Sequence, residues 1–154
     1  MELAVGDARP HDLGDAVQPL GRQLVGLGGQ RCIATAQAPR KLWASPDPQQ
    51  LAGYFTEEAI YHNIPMDPVQ GREAIKEFIA GFTAAFDGID FQVHRQLSGG
   101  NLVMNERTDV MRRKGGGEIP LPVTGVFEVV DGKIAAWRDY FDMAGRSRAP
   151  SAKS

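Results

Sequence analysis

Hydrophobic positions along this chain follow two different periods. In residues 71–86, GREAIKEFIAGFTAAF, they recur every three to four positions. Ala74, Ile75, Phe78, Ile79, Phe82 and Phe86 make one apolar stripe, with Arg72, Glu73, Lys76 and Glu77 on the opposite side, which predicts an amphipathic helix. Gly81 interrupts the stripe and weakens its last turns by about 1 kcal/mol relative to alanine. Upstream, Ser45-Pro46-Asp47-Pro48 has the form of a helix start, because Ser or Asp can cap and Pro suits the first turn. Leu51, Tyr54 and Phe55 follow on one helical face. A short strand is predicted over Ala59–Ile64, stopped by Pro65 and Pro68.

From residue 89 onward the period changes to two. Ile89–Leu97, Leu102–Arg112, Glu118–Val130 and Lys133–Asp142 read as four strands. Between them lie Ser98-Gly99-Gly100-Asn101, Gly115-Gly116-Gly117 and the hairpin pair Asp131-Gly132. Three tight turns in succession imply an antiparallel meander of long strands. With the preceding helices it gives an α+β domain in which helices pack on one side of a curved sheet. Residues 1–40 are different. Gly6, Pro10, Gly14, Pro19, Gly21, Gly26, Gly28, Gly29 and Pro39 leave no uninterrupted stretch for a helix; the best candidate, Ala16–Leu27, contains Pro19, Gly21 and Gly26. This segment is expected to be irregular. The domain is placed at residues 41–145, and 146–154 form a polar tail.

Composition narrows the function classes. The 154 residues fit one domain, and 17 basic against 19 acidic residues leave a net charge of −2. No nucleic-acid footprint follows from that balance, and no apolar run approaches the roughly 20 residues of a membrane span. The N-terminus lacks a basic segment followed by an apolar one, and Cys32 is the single cysteine. A reducing, cytoplasmic setting fits both. No HExxH, CxxC, GxGxxG or phosphate-loop pattern occurs, so metal and nucleotide chemistry are unsupported. His11 and His94 are isolated, and Arg112-Arg113-Lys114 reads as a solvated hairpin tip. Arg146, Arg148 and Lys153 read as an ordinary basic tail.

The chemistry lies in polar residues on faces that are otherwise apolar. Alternation puts Val103, Asn105, Arg107, Asp109 and Met111 on one side of the second long strand. Leu121, Val123, Gly125 and Phe127 share a face of the third, and Ala135, Trp137, Asp139 and Phe141 share a face of the fourth. Tyr61 and Asn63 share a face of the short strand, which turns His62 away. If these faces all point into the hollow of the sheet, an apolar cavity holds Tyr61, Asn63, Arg107, Asp109 and Asp139. Burial is costly for such groups unless they are paired. Two carboxylates flanking one arginine can share its guanidinium, and two close carboxyls resist ionising together, which leaves one as an acid and one as a base. Tyr and Asn beside them can hold a water. The set suits addition of water to an apolar substrate. An Arg–Asp pair on a strand is more often a surface or structural ion pair than a catalytic one, and the residues alone leave both open.

At these residues the chain resembles the limonene-1,2-epoxide hydrolase family. The matching stretches are Ile60-Tyr61-His62-Asn63-Ile64-Pro65-Met66, Glu106-Arg107-Thr108-Asp109-Val110, Gly125-Val126-Phe127-Glu128, and Gly132-Lys133-Ile134 running into Trp137-Arg138-Asp139-Tyr140-Phe141-Asp142. The similarity covers residues 43–142. It implies a cystatin-like, NTF2-like cone: a strongly curved, mixed but mainly antiparallel sheet with helices on its concave side, shared with ketosteroid isomerases and polyketide cyclases. It also implies one-step hydrolysis of a lipophilic epoxide to a vicinal diol, without metal or cofactor. In that resemblance Asp139 is the base, Tyr61 and Asn63 position the water, Asp109 donates a proton to the epoxide oxygen, and Arg107 bridges the two carboxyls. Phe82, Phe86, Phe91, Met111, Leu121, Val123 and Phe141 match the pocket positions. A homodimer is implied through the outer sheet face, at Met104, Val110, Val126 and Val130. The rivals are an isomerase-like or cyclase-like enzyme and a non-catalytic cone that binds a hydrophobic ligand. Family members begin with a long amphipathic helix that closes one side of the cone; no such helix is legible before Lys41, so that side is expected to be open.

Overall fold

The structure is a computed structural model and describes residues 27–144. Residues 1–26 and the tail from 145 lie outside the described residues, and with them His11, Arg146, Arg148, Lys153 and all of the candidate helix Ala16–Leu27 except its last residue. The elements are α1 (Leu27–Trp43), α2 (Pro48–Ala52), β1 (Phe55–Asn63), β2 (Val69–Gln70), α3 (Arg72–Ala85), β3 (Phe86–Gly99), β4 (Leu102–Arg113), β5 (Glu118–Val130) and β6 (Lys133–Tyr140). One six-stranded sheet runs in the order β2-β1-β6-β5-β4-β3. β3 to β6 form the antiparallel meander, and β1 joins β6 in parallel, so the sheet is mixed. The fold is an open, curved α+β cone. Its helices pack on one sheet face: α1 against β3–β6, and α3 against β1–β3.

Local chemistry explains most boundaries. The Asp47 carboxylate accepts from Gln50 N–H at 3.0 Å and Pro48 opens the helix, so α2 starts where the sequence predicts. It stops earlier: Ala52 is its last residue, and Phe55 already belongs to β1, which therefore begins four residues before the expected strand. Asp131 (φ 50°) and Gly132 (φ 75°) make the β5–β6 turn with the left-handed backbone that a two-residue hairpin needs. Just beyond it β6 departs from simple alternation. A register shift between Glu128 and Val129 lets Ile134 point inward along with Trp137 and Asp139, and Ala135 is left half-buried.

The largest difference from the sequence reading is α1. Residues 27–40, expected to be irregular, are the greater part of a 17-residue helix that crosses the boundary drawn at residue 41. Its own pattern is weak, and Pro39 lies inside it. Packing makes it a helix. Ala36, Pro39 and Trp43 are buried, and Arg40 Nη2 donates to the Phe91 carbonyl at 3.0 Å. Trp43 meets Phe82, Phe91 and Trp137 edge-on, with ring centroids 5.6, 6.1 and 6.3 Å away. The side of the cone expected to be open is thus partly closed by Trp43. Across the cone, Ile75 and Ile79 of α3 are fully buried, each contributing about 1.5–3 kcal/mol by burial.

Candidate active site

The sheet register sets the site out in rows. Asn105, Gly125 and Asp139 stand opposite one another on β4, β5 and β6, and Asn63 of β1 pairs with Asp139. The next row places Tyr61 against Trp137 and Trp137 against Phe127. On the other side come Val93, Arg107 and Val123, then Phe91, Asp109 and Leu121. Arg107 therefore reaches Asp139 diagonally, over Gly125. A Cβ at position 125 would collide with Arg107 Nη1 and would lie 3.0 Å from both Asn105 Oδ1 and Asp139 Oδ1. The missing side chain is the lane through which the guanidinium passes.

All three nitrogens of that guanidinium are engaged. Nε and Nη2 donate to Asp109 Oδ1 and Oδ2 at 2.6 and 3.1 Å, and Nη2 also reaches Asp139 Oδ2 at 2.8 Å. Nη1 donates to Asn105 Oδ1 at 2.9 Å. The Phe91 ring lies 5.0 Å from its central carbon and the Trp137 ring 5.9 Å away. Trp137 Nε1 donates to Asp139 Oδ1 at 2.7 Å, so each Asp139 oxygen has a partner. Tyr61 is buried, and its hydroxyl donates weakly to Asn63 Oδ1 at 3.4 Å. Arg107, Asp109 and Asp139 are 3, 6 and 4 % exposed.

The electrostatics follow from that burial. Desolvation pushes the Asp109 carboxyl up to about 6, Arg107 pulls against it, and the charge of Asp139 adds to the rise. Desolvation disfavours the Arg107 cation, but Asp139 and Asp109 more than offset this and hold it above its ordinary value. Burial, then Asp139, raises the Tyr61 hydroxyl, which stays protonated. One guanidinium balances one carboxylate. A second buried carboxylate is uncompensated, and Asp109 accordingly keeps its proton to higher pH than an ordinary carboxyl.

Beside the cluster lies a cavity of about 400 Å³, within the usual range for a small-molecule site. Asp109, Asp139, Tyr61 and Asn63 supply its polar wall, and Arg107 stands behind them. Of the pocket residues named from the sequence, Phe82, Phe91, Met111, Leu121, Val123 and Phe141 line it. Phe86 does not: it sits where α3 becomes β3 and stacks on Phe82 at 4.8 Å. Sequence reasoning missed Trp43, Met66, Phe78, Gly81 and Ile89 as lining residues. It also missed the partners Asn105 and Trp137, although both stood two positions from a named residue on the same alternating face. His62 turns to the Met66 carbonyl, with Nε2 at 2.9 Å. Among the described residues, no group of three or more His, Cys, Asp or Glu side chains is arranged to hold a metal ion. No described helix is long and apolar enough to cross a membrane.

Known proteins share this fold. Epoxide hydrolase EphG of Mycobacterium tuberculosis is 32% identical over 87 residues, which span 56% of this chain and 57% of that protein. The chain thus covers little more than half the length of that relative. The structure of an M. tuberculosis LEH-like epoxide hydrolase superposes with a TM-score of 0.70 at 26% identity, over 78% of this chain and 89% of the other. An NTF2-like protein from Anabaena variabilis shares the fold, with a TM-score of 0.68 at 22% identity over 80% of this chain and 98% of the other. Residues 48–147 match the model of the limonene-1,2-epoxide hydrolase catalytic domain, a stretch that contains Tyr61, Asn63, Arg107, Asp109 and Asp139, and by that match the chain belongs to the limonene-1,2-epoxide hydrolase family.

Proposed function

We propose that this chain hydrolyses a lipophilic, terpene-like epoxide to a vicinal diol in one step of general acid–base catalysis. The observation that carries this reading is the buried Asp109–Arg107–Asp139 bridge, set against an apolar cavity. Tyr61 and Asn63 hold a water beside Asp139, which takes one of its protons. The water oxygen bonds to an epoxide carbon, the opposite carbon–oxygen bond breaks, and its electron pair goes to the epoxide oxygen. Asp109 delivers its proton there. The step avoids both a free hydroxide and a free alkoxide, and each proton transfer supplies roughly 10²–10⁴-fold. Afterwards Asp139 carries the proton and Asp109 the charge; passing the proton back resets the site. Arg107 stays charged throughout and balances whichever carboxylate is ionised.

A single-base isomerase or cyclase would leave the second bridged carboxyl without a role. The outer sheet face is proposed to seat a second copy, through Met104, Val110, Val126 and Val130; Met104 and Val130 are exposed there. The deciding experiment is conversion of limonene-1,2-epoxide and a panel of lipophilic epoxides to diol with a chelator present, wild type beside Asp139→Asn. Turnover by wild type is expected, with a loss of roughly 10²–10⁴-fold in the variant. A folded wild type that turns over none of them refutes hydrolysis and favours ligand binding or isomerisation.

A further inference from the structure

α3 carries a glycine in its interior, where glycine is less favourable than alanine. Glycines are usually kept for a left-handed backbone or a close neighbour. Gly81 has neither: its φ is not positive, and a Cβ built on it meets nothing within 4 Å. Gly125 is the contrast, since its Cβ would strike Arg107. Yet Gly81 lines the cavity and is exposed. A residue that does both stands at the rim. Met66, in the turn after β1, is the other exposed lining residue, and Phe78, Phe82 and Phe141 are half-buried. The buried lining residues, Asp109 and Asp139 among them, form the floor. The mouth therefore opens between α3 and the turn after β1, and its rim is apolar.

The flanking rings are held in place. Phe78 meets Tyr61 edge-on at 5.4 Å, while Phe82 is stacked on Phe86 and edge-on to Trp43. Both rings are thus engaged by neighbours other than Gly81. We propose that Gly81 is a specificity-determining gap. The substrate is then a lipophilic epoxide whose oxirane lies at the Asp109–Asp139 wall and whose apolar chain leaves the cavity beside Gly81. This deepens the epoxide reading of the same cavity and rests on it. A methyl or isobutyl group at position 81 would take the room of the departing chain, and each displaced apolar contact lowers discrimination in favour of the longer substrate.

The test compares hexene oxide with dodecene oxide in wild type, Gly81→Ala and Gly81→Leu. Wild type is expected to hydrolyse both. Gly81→Leu should lose at least about tenfold in kcat/KM for dodecene oxide relative to hexene oxide, and Gly81→Ala should fall between. Both variants improve helix propensity, so a melting temperature at or above that of wild type is expected and shows the fold intact. Equal loss on both substrates, no change in the ratio, or a wild type that rejects dodecene oxide overturns the proposal. Failure of the hydrolase reading is separable. Trp43 lines the cavity and Trp137 donates to Asp139, so the fluorescence of these two tryptophans reports occupancy by hexanol or dodecanol without turnover. Selective loss of dodecanol affinity in Gly81→Leu supports the gap even if no epoxide reacts; unchanged selectivity refutes it.

Discussion

Strand β4 carries two ion pairs on neighbouring residues. Glu106 points outward and accepts from Arg95 Nη1 at 2.8 Å; Arg107 points inward and bonds Asp109 at 2.6 Å. The distances are nearly the same. The surroundings are not: the outer side chains are 80% and 55% exposed, the inner ones 2% and 8%. Outside, water screens the charges and solvates either partner alone. Inside, removal of a partner strands a charge, and a second carboxylate has to share one cation. The difference teaches that burial, rather than separation, turns an arginine–aspartate contact into a proton-holding device.

Arg107→Met breaks the comparison hardest. It leaves Asp109 and Asp139 buried with no cation, and the expected cost is about 3–5 kcal/mol in urea unfolding, together with loss of activity. The cost should shrink in acid, where Asp109 takes up a proton. A cost under about 1 kcal/mol would put the inner pair in the class of the outer one.

Asp109→Asn sharpens it through pH. The Asp109 carboxyl goes from its ordinary 3.8 to about 6 in the fold, so the folded protein binds the extra proton. Its contribution to stability is therefore complete below about pH 3.8 and is lost as pH rises through about 6, an effect on the order of 3 kcal/mol. The variant lacks that loss, and its stability relative to wild type should rise between about pH 4 and about pH 7. Wild-type activity should decline on the alkaline side as Asp109 gives up its proton. A rate climbing steadily from about pH 5 to about pH 9 would remove Asp109 from the role of acid.

Gly125→Ala tests the lane between the rows. Its methyl group meets Arg107, Asn105 and Asp139 at once, all of them buried and bonded. Overpacking of about 1–3 kcal/mol is expected. Displacement of the bridge should cost roughly 10²-fold in kcat. Full activity in a folded variant would mean that the guanidinium has another route to Asp139.

The legible and illegible parts of the fold divide along the same line of local against distant cause. α3 and the β3–β6 meander declare themselves through period and turn residues, and strand alternation groups Arg107 with Asp109 and Tyr61 with Asn63 on single strand faces, while the meeting of those faces with Asp139 in one hollow is a matter of sheet curvature that alternation does not give. α1 does not declare itself, because Gly28, Gly29 and Pro39 argue against a helix that only contacts with β3 and the aromatic floor sustain. The parallel pairing of β1 with β6 joins residues more than seventy positions apart and leaves no local mark. Asn105 and Trp137 were on the right faces, but their roles depend on where the Arg107 fork ends, which alternation does not say. Met66 reaches the rim from a turn that has no period to read.

The smallest expected effect belongs to the outer pair. Glu106→Gln keeps the size of the side chain and removes its charge, leaving Arg95 80% exposed and free to be solvated. The pair lies on the opposite face of β4 from the cavity, so no row of the site runs through it. A stability change of no more than about 0.5 kcal/mol is expected, shrinking further as salt is added, with kcat and KM unchanged. The neighbouring substitution Arg107→Met should be insensitive to the same salt, because the charges it strands are screened by protein and not by ions. A salt-insensitive loss at Glu106 as large as that at Arg107 would mean that charge on β4 acts through the strand as a whole, and the contrast between its two faces would then be one of position only.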